Sequence, residues 1–169
     1  MQPPLLPVVT LTRLLRLARL DGTGVLALSG AFALASAAMG DRLSAVIGLL
    51  IAGAGAFELH GAGLLREREA RGLRWLVASQ IYLMIVVLAY VVLRLFSYDP
   101  AFINHALTTD TRSNLLEIGY TEGDIAGLVR QIYCLIYAVI GCVTVLYQGG
   151  MALYYWRRKA AVAAALAED

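Results

Sequence analysis

Gly53-Ala54-Gly55-Ala56-Phe57-Glu58-Leu59-His60-Gly61-Ala62-Gly63 lies inside a block, residues 43–65, in which Glu58 is the single charged side chain. At 1.5 Å per residue a helix of this length crosses the roughly 30 Å of hydrocarbon in a bilayer. Three further blocks are built the same way, and the four spans expected are 22–40, 43–65, 73–97 and 125–156. None has the ten-residue alternation of a barrel strand, and helices satisfy their own backbone in lipid. Composition agrees: 60% of residues are hydrophobic, 15% are charged and the mean hydropathy is +0.71. An ordinary soluble domain has about 45–50% apolar and about 25% charged residues. A disordered chain, a disulfide scaffold and a nucleic-acid module are excluded, and the net charge of +2 signals no polyanionic partner. The expected fold is an all-α integral membrane protein, a single membrane domain over 1–169 that forms a bundle of four transmembrane helices.

The basic residues set the orientation, because Lys and Arg beside short loops stay on the cytoplasmic side. Arg13, Arg16 and Arg19 precede the first span, Arg66, Arg68, Arg71 and Arg74 join the second to the third, and Arg157, Arg158 and Lys159 follow the fourth. Arg42, Arg94, Arg112 and Arg130 fall on the other side. Both termini are therefore expected in the cytoplasm, with a tight turn at Asp41 and an outer loop over 98–124. Ala35-Ser36-Ala37 has the form of a signal cleavage site, but the first span is expected to be retained.

Residues 10–20 read as a basic amphipathic segment, with Leu dipping into the acyl boundary and Arg meeting lipid phosphates, or as a plain lead-in to the first span. Arg13, Arg16, Arg19, Arg66, Arg68, Arg157 and Arg158 are the headgroup-contacting set, and anionic lipids in the bilayer are the expected partners. In the outer loop Pro100 can start a short surface helix, and Leu115, Leu116 and Ile118 supply another apolar edge. Thr121-Glu122-Gly123-Asp124 has the form of a capping box, which starts the last helix near Thr121.

Small residues mark where helices touch, since apolar burial gives no help in lipid and backbone approach must supply the contact. Gly53, Gly55, Gly61 and Gly63 make the second span the expected centre of packing. On the fourth span Arg130, Cys134, Tyr137, Gly141, Thr144 and Gln148 follow steps of four and three as one seam, continued by Met151 and Tyr155. Such a seam lines a polar path, joins a second copy of the chain, or packs within the bundle. A homo-oligomer is expected.

Glu58 is the sharpest feature, because a charged carboxylate deep in a bilayer costs several kcal/mol unless it is neutralised, paired or hydrated. His60 is 200° away around a regular helix, so the two do not form one metal site. Counting 1.5 Å per residue inward puts Glu58 about 12 Å from Arg66, Gln80 about 9 Å from Arg74, Gln148 about 13 Å from Arg157 and Ser29 about 10 Å from Gly22. These side chains, with His60 and Tyr82, are expected to form a polar cluster, and Tyr147 lies nearby. The cluster serves either as an ion, proton or polar-ligand site or as hydrogen-bonded packing. Trp75, Trp156, Tyr154 and Tyr155 fit an aromatic belt. Cys134 and Cys142 are about 12 Å apart along one helix, too far for a disulfide. There is no metal or cofactor motif and no nucleophile–base pair, so a non-enzymatic protein is expected. Two functions lead: a channel or transporter-like subunit, and a non-catalytic scaffold or accessory subunit that binds lipid and an unidentified protein; a lipid-modifying enzyme is a weaker third, since the reactive constellation it needs is missing.

Overall fold

A computed structural model of the chain describes residues 7–98 and 107–167. The described residues form helices α1 (Pro7–Ala38), α2 (Arg42–Arg66), α3 (Gly72–Phe96), α4 (Thr109–Glu117), α5 (Glu122–Arg157) and α6 (Lys159–Ala167). Four of them, α1, α2, α3 and α5, are long and apolar enough to cross a membrane. The short helix expected from Pro100 lies outside the described residues. By contacts the chain divides into two units, one running to Val87 and resuming at Thr144, the other from Leu88 to Val143.

Sequence-local signals end the helices. Gly40 has φ 78°, and the bonds Gly40 N–H to Ala37 and Asp41 N–H to Ser36 close α1 in a Schellman turn. The Asp41 carboxylate then accepts the Ser44 N–H at 3.0 Å and caps α2. At the other end of α2 the left-handed position falls to Arg68, φ 62°, where the N–H of Glu69 reaches the carbonyl of Leu64. Thr121 and Asp124 form the reciprocal box, with Asp124 N–H donating to Thr121 Oγ1 at 3.2 Å and Thr121 N–H to Asp124 at 3.0 Å. From there α5 continues through Gly149 and Gly150 as far as Arg157.

In the first unit α2 is the most enclosed helix. Of its membrane-length window 44% is buried, against 22% in α1, 28% in α3 and 17% in α5. Glycine makes this possible on two faces. A Cβ on Gly55 would stand 2.7 Å from the carbonyl of Gly22 and the amide of Leu26, and one on Gly48 would stand 2.8 Å from Ala33. The opposite contact sets Gly61 against Gly72, where a Cβ would stand 2.9 Å from the Gly72 carbonyl. Gly53 and Gly63, expected to pack in the same way, have nothing within 4 Å of where a Cβ would be.

Residues 10–20 are the first three turns of α1, continuous with the span. Leu14 and Ala18 are fully buried in a cluster with Ala62, Leu65, Leu76, Tyr155 and Val162. The apolar face expected to meet acyl chains is covered by protein, because α6 folds back against α1 and buries Val162 and Ala165. Arg13, Arg16 and Arg19 remain exposed on the other faces of α1.

The second unit holds the ends of α3 and α5 that adjoin the connecting loop. Arg112 on α4 grips both oxygens of Glu122, at 2.8 and 3.2 Å, and that hydrogen bonding raises the guanidinium pKa above its ordinary value. Buried Ile125, Val129 and Tyr133 continue into Gly141, which faces Leu88 and Val91 across a close gap.

The glycine contacts give a direct test. Gly55→Ala forces the α1 and α2 backbones apart and is expected to cost about 1–3 kcal/mol. Gly53→Ala, with open space, is expected to be neutral or to stabilise by up to about 1 kcal/mol through helix propensity. Reversible unfolding of both variants in mixed micelles checks this; equal effects would remove the close approach as the cause.

Candidate functional site

The contact at Gly22 and Gly55 carries two carboxyl groups to the same level. Asp21 precedes Gly22 in α1, and Glu58 lies one turn beyond Gly55 in α2. Glu58 is 2% exposed and accepts a hydrogen bond from the Tyr155 hydroxyl of α5 at 2.6 Å. Asp21, half-buried, accepts one from Gln80 Nε2 of α3 at 3.1 Å and one from the Tyr147 hydroxyl of α5 at 3.0 Å. Asp21 and Gln80 are also within interaction range of the Glu58 carboxyl. Four helices of the first unit thus contribute to one polar cluster.

Two buried amide oxygens on this side of the helices, those of Gln80 and Gln148, lack a donor. Gln80 is 1% exposed, and with its nitrogen on Asp21 its Oε1 has no partner. Gln148, two turns before Tyr155 on the same face of α5, is also buried with an unpartnered Oε1. Buried acceptors ordinarily find a donor, and leaving one without costs about 1–3 kcal/mol. A water molecule, a proton or a small cation would each satisfy such oxygens. Among the described residues no three His, Cys, Asp or Glu side chains gather as metal ligands.

The other side chains expected here stand elsewhere. His60 is exposed and meets the Trp75 ring edge-on at 5.2 Å, on the far side of α2 from Glu58. Tyr82 sets its ring against Phe57 at 5.6 Å. Ser29 donates to the Val25 carbonyl of its own helix. Counting its depth from Gly22 treats that residue as the membrane boundary. Gly22 instead lies opposite Gly55, well inside α2, so Ser29 is about 10 Å further along α1.

Along α5 the enclosed line runs through Ile125, Val129, Tyr133, Gly141, Gln148 and Tyr155. Arg130 and Cys134 are exposed beside it, and Tyr137 and Thr144 are half-buried on it. In the second unit this line meets an aromatic cluster. Arg94 Nε donates to the Tyr90 hydroxyl at 3.0 Å, and the Tyr133 hydroxyl donates to the Arg94 carbonyl at 3.0 Å. Tyr137 lies between the rings of Tyr90 and Tyr133, 6.2 and 4.7 Å away. The spacings Tyr90 to Arg94 and Tyr133 to Tyr137, each one helical turn, are the signal for it in the sequence.

No protein-family model, curated protein or solved structure matches the chain.

The closure of Glu58 by Tyr155 is testable. Tyr155→Phe removes the donor to a buried carboxyl group and is expected to destabilise by about 1–3 kcal/mol. Tyr82→Phe, on a ring held by Phe57, is expected to stay within about 0.5 kcal/mol. Unfolding in mixed micelles measures both, and a silent Tyr155→Phe would remove this bond from the energetics of the site.

Proposed function

We propose that the protein is a channel or transporter-like subunit that binds a proton or small cation at Asp21 and Glu58. Its four long helices span the bilayer as a bundle, both termini are cytoplasmic, and copies associate so that the path is completed between subunits. The observation that carries the reading is the approach of a buried carboxyl group, Glu58, and a half-buried one, Asp21, from different helices beside an amide oxygen without a donor. An intramembrane acid is a functional group by default, and two of them need a positive species to coexist in low dielectric. The cluster is also open on one side. Tyr147, which holds Asp21, is 48% exposed, so this edge faces outward from its unit, where a second subunit would meet it.

A second reading rests on a specific observation. Each carboxyl group already accepts a hydrogen bond, Glu58 from Tyr155 and Asp21 from Gln80 and Tyr147, as a purely structural network requires. Under that reading the protein is a scaffold or accessory subunit, with its Arg clusters on anionic lipid and a protein partner elsewhere.

Proton and cation flux into proteoliposomes separates the two. Glu58→Gln keeps an acceptor for Tyr155, and Asp21→Asn keeps one for Tyr147, so assembly should survive. The transport reading expects each to lower flux by about tenfold or more, the equivalent of roughly 1.4 kcal/mol of lost ion binding or barrier stabilisation. Unchanged flux in both variants, or no flux by the parent protein across ions, pH and voltage, would favour the scaffold.

A further inference from the structure

We infer that the crevice between the start of α3 and α6 is a binding site for one acyl chain of an anionic phospholipid, with its headgroup held by Arg74 and Lys159. The crevice has a volume of about 640 Å³, within the range of about 300–1,000 Å³ typical of ligand sites. One wall is Leu73, Val77 and Ile81 of α3, which recur every four residues and form a single apolar stripe. The facing wall is Ala160 and Ala163 of α6, whose short side chains leave the space open. It lies where α5 ends at Arg157 and α6 begins at Lys159.

The placement of charge along this crevice selects an amphiphile. Arg74 immediately precedes the long uncharged stretch of α3, and Lys159 follows the one that ends at Trp156. Both cations therefore stand where headgroups lie, while the stripe extends from Leu73 to Ile81, about 12 Å toward the hydrocarbon. Lys159 Nζ sits 4.8 Å over the Trp156 ring, which fixes that charge at the crevice mouth. Neighbouring Arg71 is taken up by Glu69, whereas Arg74 makes no ion pair among the described residues. Two cations above a channel of apolar walls complement a phosphodiester that carries a net negative charge with a chain below it, and a zwitterionic headgroup less well. This site is distinct from the Arg13, Arg16 and Arg19 face of α1 and from the Asp21–Glu58 cluster, and it stands whether or not that cluster conducts.

Trp156 lines the crevice and Trp75 is the other tryptophan of the chain, so Trp75→Phe leaves a single reporter in place. Full-length protein with that substitution is reconstituted with brominated phosphatidylglycerol or brominated phosphatidylcholine, and quenching of Trp156 is read against mole fraction. The expected result is half-quenching by the anionic lipid at about a tenfold lower mole fraction. Arg74→Gln with Lys159→Gln should bring the two lipids to within about twofold of each other. Ala163→Leu, which keeps both cations and fills the crevice, should also abolish the preference. Equal quenching by the two lipids in the parent protein would overturn the assignment without recourse to any variant, as would a preference that survives the double substitution. Shielding from both lipids that grows with the protein-to-lipid ratio would give the crevice to a second copy of the chain and also overturn it.

Discussion

Two backbones that touch with no side chain between them set the geometry of the first unit. Where Gly22 meets Gly55, the carbonyl of one helix occupies the space a Cβ would take on the other. In lipid, contact of this kind replaces apolar burial as the source of helix association, since acyl chains solvate Leu as well as a neighbouring helix does. The same contact fixes the antiparallel register of α1 and α2. Asp21 and Glu58 are neighbours because each lies within one turn of the glycine that makes the crossing. A change that slid the helices by one turn would move the two carboxyl groups about 5.4 Å apart along the axis. The polar cluster and the glycine contact are thus one feature of the sequence, written in two places.

Beyond the crossing the physics changes along the same helices. With the four long helices across a bilayer, the Arg-rich ends of α2, α3 and α5 would stand where water returns, and there the ordinary hydrophobic effect would operate. The buried cluster of Leu14, Leu65, Leu76, Tyr155 and Val162 gathers at this level, with α6 laid over the start of α1 to close it. Leu14 and Ala18 are wholly enclosed by it, which explains why the Leu-rich face of residues 10–20 turns inward. The Arg side chains on the opposite faces remain exposed. Tyr155 belongs to both regions: its ring is in the apolar cluster and its hydroxyl reaches into the polar one.

This division separates what is legible in the amino-acid sequence from what is not. Long uncharged blocks are a property of composition along the chain, so the four apolar helices are legible, as are the turn at Asp41 and the cap at Thr121. Glu58 is legible because charge in such a block is costly wherever the helix packs. Asp21 is not, because it lies beside Arg19 and reads as the end of a polar lead-in; only the register of Gly22 on Gly55 shows that it lies as deep as Glu58. Tyr155 reads as part of an interfacial belt by its nearness to Arg157, although a ring on the enclosed side of a helix has other uses. His60 shares the depth of Glu58 but not its direction, a difference of 200° that follows from two residues of helix. Depth can be counted along one helix, whereas convergence needs the rotation and register of several, and those come from contacts between residues far apart in the chain.

The cluster that results has a dry end and an open one. Glu58 and Tyr155 are sealed by the apolar core, whereas Asp21 is half-buried and its partner Tyr147 reaches the outer surface of α5. In a bilayer that surface would meet lipid or protein, and a half-buried carboxyl group held by Gln80 and an exposed phenol is poorly placed against lipid alone. Association of copies through this face of α5 would shield Asp21, raise the field strength at the oxygen-rich centre, and give Gln80 Oε1 an approaching donor or cation. Closure within one chain would instead require Tyr147 to stay seated over Asp21 at all times. The two arrangements differ in a single element, the Tyr147 hydroxyl, which either gates the acid or seals it. Under the proposed function, the difference between conduction and scaffolding would therefore rest on the contact between Tyr147 and Asp21, while Glu58, held by Tyr155 in the core, supplies the fixed partner.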